Sequence, residues 1–284
     1  MVPVPPIATI LIEPVVRAAL LEDLGRAGDI TTDAIVPAGA RARTALVARH
    51  AGVLAGLEVA LLAFRLLDAT IETCVQRPDG SHISPGDVIA TITGPARGIL
   101  SAERVALNFL CHLSGVASAT AAVVDALRGY QTRVTCTRKT VPGLRALQKY
   151  AVRVGGGSNH RFGLDDAILI KDNHVAVAGG IVPAIERARA SAGHLVRIEV
   201  EVDSLTQLAD ALKARADAVL LDNMDLDILR RAVGMVAGRA VTEASGRITP
   251  GTAASVAACG VDLISIGWLT HSASALDIAL DYLD

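Results

Sequence analysis

Aromatic residues are almost missing: one Trp, three Tyr and three Phe in 284 residues. A chain so poor in aromatics offers no stacking platform for bases, and its formal net charge of −2 gives no general basic footprint. Nucleic acid is therefore not an expected partner. Cysteine is scarce as well. Cys74, Cys111, Cys136 and Cys259 are far apart and make no C-x-x-C pair, which excludes a disulfide or zinc framework and suggests reduced thiols in a cytoplasmic enzyme. Although 51% of residues are apolar, no uninterrupted apolar run reaches the roughly 18–20 residues of a membrane span. No membrane partner is expected. The apolar segment 7–12 has no basic flank and is too short for a secretory signal.

What is abundant is Ala, Val, Leu and Gly, the composition of α/β packing. The length suits two domains or one large one. Residues 13–24 carry apolar side chains at helical spacing, and Gly25 and Gly28 stop them. Asp29-Ile30-Thr31-Thr32 reads as a polar turn in which Asp and Thr cap. Strands are expected at 43–49, 71–75 and 88–92, with a helix at 57–67. The longest helical pattern is 101–127, with Ser101 as N-cap and Gly115 as an interruption or kink. Within it, Glu103 and Arg104 read as a solvated surface pair.

From Arg133 onward the grammar changes. Short apolar runs at 133–137, 167–170, 196–202, 218–221, 240–242 and 261–266 alternate with helix candidates near 143–154, 177–192, 204–214, 225–237 and 250–258. Such alternation predicts a parallel sheet with right-handed crossovers. About 150 residues are too few for a complete eight-fold barrel, so an incomplete, open α/β barrel of about six parallel strands is expected. The stretch 272–284 reads as a closing helix that packs back on the first domain.

The cations point to function. Between Arg138 and Lys171 lie seven Lys/Arg (Arg138, Lys139, Arg145, Lys149, Arg153, Arg161, Lys171) against two acids, Asp165 and Asp166. In barrels, functional groups gather at the C-terminal ends of strands. Those ends carry Arg138-Lys139, Lys171-Asp172, Glu199 and Glu201, Asp222-Asn223, Glu243 and Ser245, and Gly267. Cations converging there suit a small, multiply charged anion. Lys171 follows four apolar residues, so its stem should be buried and its ammonium should find an anion. Glu199 and Glu201 share a strand face by two-residue alternation. Asp222 either caps the next helix or serves as an acid for Mg²⁺ or a ribose. Ser245-Gly246 and Gly267 fit either a phosphate cradle or a tight turn. Gly155-Gly156-Gly157 follows a helix, so it reads as a stop rather than a phosphate loop. His160-Arg161 adds two donors after it. Asp172 and His174 have no third ligand nearby, which speaks against a structural metal.

The runs Thr137-Arg138-Lys139-Thr140, Pro142-Gly143-Leu144-Arg145, Gly155-Gly156-Gly157, Asn159-His160-Arg161 and Lys171-Asp172-Asn173-His174 strongly resemble quinolinate phosphoribosyltransferase. Further matching segments include Glu22-Asp23, Asp29-Ile30-Thr31-Thr32, Glu103-Arg104, Glu199-Val200-Glu201-Val202, Leu221-Asp222-Asn223, Ser245-Gly246 and Leu269-Thr270-His271-Ser272.

The resemblance implies an N-terminal α/β sandwich, residues 1–115, joined by the C-terminal helix 272–284, and a catalytic α/β barrel, 116–271. It implies transfer of phosphoribosyl from phosphoribosyl pyrophosphate to quinolinate with Mg²⁺ and loss of CO2, giving nicotinate mononucleotide for NAD synthesis. By the family pattern Arg138, His160, Arg161 and Lys171 hold the quinolinate carboxylates, joined by Arg104 of the partner subunit. Lys139, Glu201 and Asp222 serve phosphoribosyl pyrophosphate and the metal, with Lys139, Lys171, Glu201 and Asp222 as the catalytic set. Ser245, Gly246, Gly267 and His271 surround the 5′-phosphate. The assembly implied is a homodimer with shared sites, which a hexamer would extend.

Three positions depart from the pattern: Cys136 where an acid often stands, Arg247 for the second glycine of a Ser-Gly-Gly turn, and Trp268 for a small residue. Three rivals are weighed. A molybdenum-transport-associated paralogue typically lacks the Lys-Asp-Asn-His run. A nicotinate phosphoribosyltransferase would release no CO2. A non-catalytic anion-binding module would gain nothing from Glu201 and Asp222.

Overall fold

The structure, a computed structural model, describes residues 4–283. The chain divides into two compact units. One comprises Met1–Ala121, Thr140–Gly156 and Thr270–Asp284, the other Ala122–Lys139 and Gly157–Leu269.

In the first unit α1 (Thr9–Leu24) buries Ile12, Val16 and Leu20, a stripe of four-residue spacing, and ends at Gly25 in a positive-φ conformation. The polar turn after it opens a short helix, α2 (Ile30–Ile35). Asp29 is its N-cap and accepts the Thr32 N–H at 2.9 Å. There follow β1 (Arg41–Ala48), β2 (Gly52–Val53), α3 (Leu57–Leu67), β3 (Glu72–Val75), β4 (His82–Ile83), β5 (Val88–Pro95) and α4 (Ala96–Ala126).

Two readings of α4 are corrected. It begins five residues before Ser101, so Ser101 does not cap it; the Ser101 hydroxyl donates instead to Asp29 at 2.9 Å. Gly115 does not interrupt the helix. A Cβ there would strike the backbone of Ser274 and Ala275, so the glycine admits a close crossing. By length and composition α4 could cross a membrane, but 56% of its most apolar window is buried inside the protein, as for a core helix.

The second unit and the returning tail supply β6 (Arg133–Thr135), α5 (Arg145–Val154), β7 (Ile168–Ile170), α6 (Asp172–Ala178), α7 (Ile181–Ser191), β8 (Ile198–Val202), α8 (Leu205–Lys213), β9 (Ala218–Asp222), α9 (Leu226–Val236), β10 (Val241–Ser245), α10 (Pro250–Ala257), β11 (Leu263–Ser265), α11 (Trp268–His271) and β12 (Ile278–Tyr282). Of these, α5 and β12 belong to the first unit.

The expected closing helix at 272–284 is a strand instead. β12 pairs antiparallel with β1, Thr44 opposite Tyr282 and Ala48 opposite Ile278, and completes the sheet order β12-β1-β5-β3. The Ala- and Leu-rich tail has a helical look, but the open edge of β1 overrides that local preference. Residue 284 of the expected helix lies outside the described residues.

The barrel runs β6-β11-β10-β9-β8-β7, with parallel pairing throughout. β6 and β7 are its two ends, so the sheet is open there. At the β6 edge, Ser158 adds one parallel bridge to Thr135, its N–H donating to Val134 O at 2.8 Å. Val200, Val219 and Leu221 are buried at 0–1% exposure. The neighbouring residues Glu199, Glu201, Leu220 and Asp222 take the opposite face by alternation. That alternation is what brings acids into the barrel.

Candidate active site

Glu201 and Leu220 are opposed in register, as are Asp222 and Ser245, and Ser245 and Ser265. The carboxylates, the serine and the loops after them therefore share the C-terminal end of the sheet. Lys171 sits at the N-cap of α6, with its ammonium 2.9 Å from Glu201. Its side chain is 47% exposed, so the expected burial of the stem does not occur, while the expected anion is Glu201. β7 ends one residue earlier, which leaves the stem outside the layer of buried apolar residues. His174 accepts the Lys171 N–H at 2.9 Å. Its role is local capping.

Arg138 and Arg161 form the electrostatic feature of the site. Both are half-buried, and the Nε of each is a buried donor without a hydrogen-bond partner. Burial, and next the nearby charge of Arg138, lower the pKa of Arg161. One guanidinium nitrogen of Arg161 donates to Ala167 O at 3.1 Å. Lys139 follows Arg138 and is exposed.

Deeper in the barrel His160, Glu199 and Glu243 meet. His160 Nε2 lies 2.9 Å from Glu199 and 3.7 Å from Glu243; the three side chains are 12%, 12% and 2% exposed. His160 Nδ1 accepts the Arg161 N–H at 2.8 Å, so the ring proton is on Nε2 and is donated to Glu199. One oxygen of Glu243 has no hydrogen-bond partner. Burial, reinforced by the charge of Glu199, pushes the Glu243 carboxyl up to about 7; His160 and a hydrogen bond with Ser265 pull the other way. The three ligand atoms lie within 4.8 Å of one another, a spacing a metal ion could use. In this arrangement, however, the Nε2 proton goes to Glu199 and the Nδ1 lone pair takes the Arg161 N–H, so neither ring nitrogen is turned to a cation.

At the far strand ends, Asp222 accepts from the Asn223 side chain at 2.8 Å and does not cap α9, which Asp225 does. Asn223 (φ 52) and Arg247 (φ 50) are both left-handed. Gly246 is obligatory, because a Cβ would collide with the Asn223 side chain. Asn223, Met224, Gly246 and Arg247 line a cleft of about 480 Å³. Gly267, directly before α11, belongs to the second unit. Arg104 is exposed on α4, and His271 is exposed at the end of α11, its Nδ1 2.6 Å from the Ser272 hydroxyl; both belong to the first unit.

A match to the quinolinate phosphoribosyl transferase C-terminal domain covers residues 116–281, and one to the N-terminal domain covers 29–114. The chain belongs to the quinolinate phosphoribosyltransferase family. It is 48% identical over 274 residues to the nicotinate-nucleotide pyrophosphorylase [carboxylating] of Mycobacterium leprae, covering 94% of this chain and 95% of that one. It is 45% identical over 262 residues to a probable enzyme of that name from Bacillus subtilis, covering 92% and 90%. Among solved structures, NadC from Streptococcus pyogenes superposes with a TM-score of 0.94 at 45% identity, over 99% of this chain and 100% of that one.

The three departures from the phosphoribosyltransferase pattern have structural accounts. Cys136 is fully buried, its thiol 3.4 Å from the Asn159 side chain. Trp268 donates its indole N–H to Ile248 O at 2.8 Å and so braces the loop in which Arg247 is left-handed. Sequence reading placed Glu243 with Ser245 at a strand end but gave it no specific role; the alternation that paired Glu199 with Glu201 would have turned it inward with Ser245. It also missed Gln148, fully buried on α5, which bonds Val141 N, Thr270 O and His112 Nε2. No motif announces that residue.

Proposed function

We propose that this protein transfers phosphoribosyl from phosphoribosyl pyrophosphate to quinolinate, releasing diphosphate and CO2 and forming nicotinate mononucleotide for NAD synthesis. The observation that carries the reading is the Arg138–Arg161 pair. Two guanidiniums side by side, each with a buried unpartnered donor, cost free energy unless an anion completes them. A dianionic pyridine acid is such an anion.

In this reading Arg138, His160, Arg161 and Lys171 are the acid-binding set, with Arg104 of the partner subunit completing it. Lys171 exchanges Glu201 for a substrate carboxylate. Glu201 is thereby released toward the ribose and the metal. Two carboxylates at neighbouring strand ends are the hard-oxygen donors Mg²⁺ takes, and Glu201 and Asp222 would hold it. When bound, the metal offsets charge on the departing diphosphate. Lys139 stands beside that leaving group. Glu201 and Asp222 also face the positive charge that develops on the ribose carbon. Ser245, Gly246 and Gly267, all of the second unit, form the cradle for the 5′-phosphate.

The pyridine nitrogen donates its lone pair to the ribose carbon as the bond to diphosphate breaks and takes its pair with it. The ring is then cationic and accepts the electron pair left when the neighbouring carbon–carboxylate bond breaks; that carbon is protonated afterwards.

The reading includes a homodimer with shared sites. Exposed Ile10, Leu11 and Leu21 of α1 and Ile30 and Ile35 of α2 support it as apolar surface suited to a second copy. It also includes a cytoplasmic location, consistent with four free cysteines. The test is CO2 release from carboxyl-labelled quinolinate with phosphoribosyl pyrophosphate and Mg²⁺. Release that needs all three, with nicotinate mononucleotide formed, is the expected result. Product from nicotinate and none from quinolinate would move the protein to the non-decarboxylating reaction.

A further inference from the structure

We propose that Glu199 is a positioning residue that, by anchoring His160, aims the Arg161 guanidinium. The proposal rests on the reading of Arg161 as a quinolinate-binding residue. The segment after Ser158 has no sheet ladder of its own: one bridge at Ser158 is its last backbone pairing with β6. Beyond it, the chain is held by side-chain bonds. Asp166 accepts the N–H groups of Phe162 and Gly163 at 2.6 and 2.9 Å. Arg161 donates to Ala167 O.

From this segment His160 Nε2 reaches across the barrel to Glu199 on β8, at 2.9 Å. The same ring takes the Arg161 backbone N–H on Nδ1 at 2.8 Å. The backbone of Arg161 is thus fixed to the barrel wall through one imidazole, with the donor on Nε2 and the acceptor on Nδ1. Glu243 lies 3.7 Å from the same Nε2 and is 2% exposed, so the ring sits against a buried wall. Arg161 needs such a mount because its Nε is buried beside a like charge, where the guanidinium would otherwise turn toward solvent.

Glu199 does the positioning by accepting one hydrogen bond. A glutamine at 199 keeps an acceptor oxygen at the same reach, and a leucine keeps the volume without it. Steady-state kinetics of the full chain should then separate the two variants. Glu199→Leu should raise the quinolinate KM about 10- to 100-fold, the scale of a misplacement of about 1 Å, while the KM for phosphoribosyl pyrophosphate stays within about threefold. Glu199→Gln should hold both constants within about threefold of the native chain.

If Glu199→Leu does not melt cooperatively, Glu199→Met, unbranched and similar in size, takes its place. An unchanged quinolinate KM in the apolar variant would overturn the proposal. So would equal rises in both KM values, which mark a general loss of structure, or a glutamine variant no better than leucine. The native chain is assayed first: absence of quinolinate turnover there defeats the substrate reading itself, independently of Glu199.

Discussion

Asp79 and Glu243 are both buried acids, one in each unit, and burial raises the pKa of both carboxyls. Their surroundings differ. Asp79 accepts the N–H groups of Gly56 and Leu57 at 2.9 and 3.0 Å, and the Tyr150 hydroxyl at 2.8 Å. It thereby caps α3, whose own N-cap, Gly56, has no side chain to do so. Burial and the Asp79 charge in turn push the Tyr150 hydroxyl up. Glu243 has an oxygen with no hydrogen-bond partner and a second carboxylate, Glu199, close enough to raise its pKa. An acid that serves structure is surrounded by donors. Glu243 is left short of them, as are Arg138 and Arg161. Among the described residues, the buried polar atoms without partners fall on Arg138, Arg161 and Glu243, in the region proposed to bind substrate.

The comparison can be broken most forcefully at the barrel mouth. Lys171→Ala should lower kcat/KM by about 10²–10³-fold, with the melting temperature little changed because the side chain is 47% exposed. Near-native turnover would remove Lys171 from the site.

Glu243→Gln comes next. The native pKa of about 7 exceeds the ordinary 4.5, so the folded state holds this proton more tightly than the unfolded chain does. The stabilisation from that proton is complete below about pH 4.5 and is lost as pH rises through about 7. Glutamine cannot ionise. The variant should therefore gain on the native protein by up to about 3 kcal/mol between pH 4.5 and 8, read from urea midpoints. A difference that does not change with pH would contradict the assignment.

Asp79→Ala removes a cap and a buried hydrogen bond, and should cost about 2–3 kcal/mol with kcat/KM unchanged in the folded enzyme. The smallest effect is expected at Arg247. Glycine there relieves a left-handed residue, and Arg247→Gly should stabilise by about 1 kcal/mol or less, measured as a small rise in melting temperature.

Much of this was legible in the sequence, for physical reasons. The barrel strands are short apolar runs bounded by helices, and each of the six runs became a strand. Charged residues at their ends were readable because a strand end is where a polar residue interrupts an apolar run. What could not be read depended on distant partners. The tail at 278–282 is a strand because β1 has an open edge, and Gly115 is a glycine because another segment crosses it. The unpaired state of Arg138 Nε and Arg161 Nε is a property of the folded pocket, and so is the tautomer of His160.

The most direct test of the central claim is calorimetric titration of the native enzyme with quinolinate and, separately, with nicotinate. If the two arginines await a dicarboxylate, quinolinate should bind about 100-fold more tightly, the value of one further charge-assisted carboxylate contact. Equal affinities would contradict the account, because the unpartnered donors would then contribute nothing to recognition.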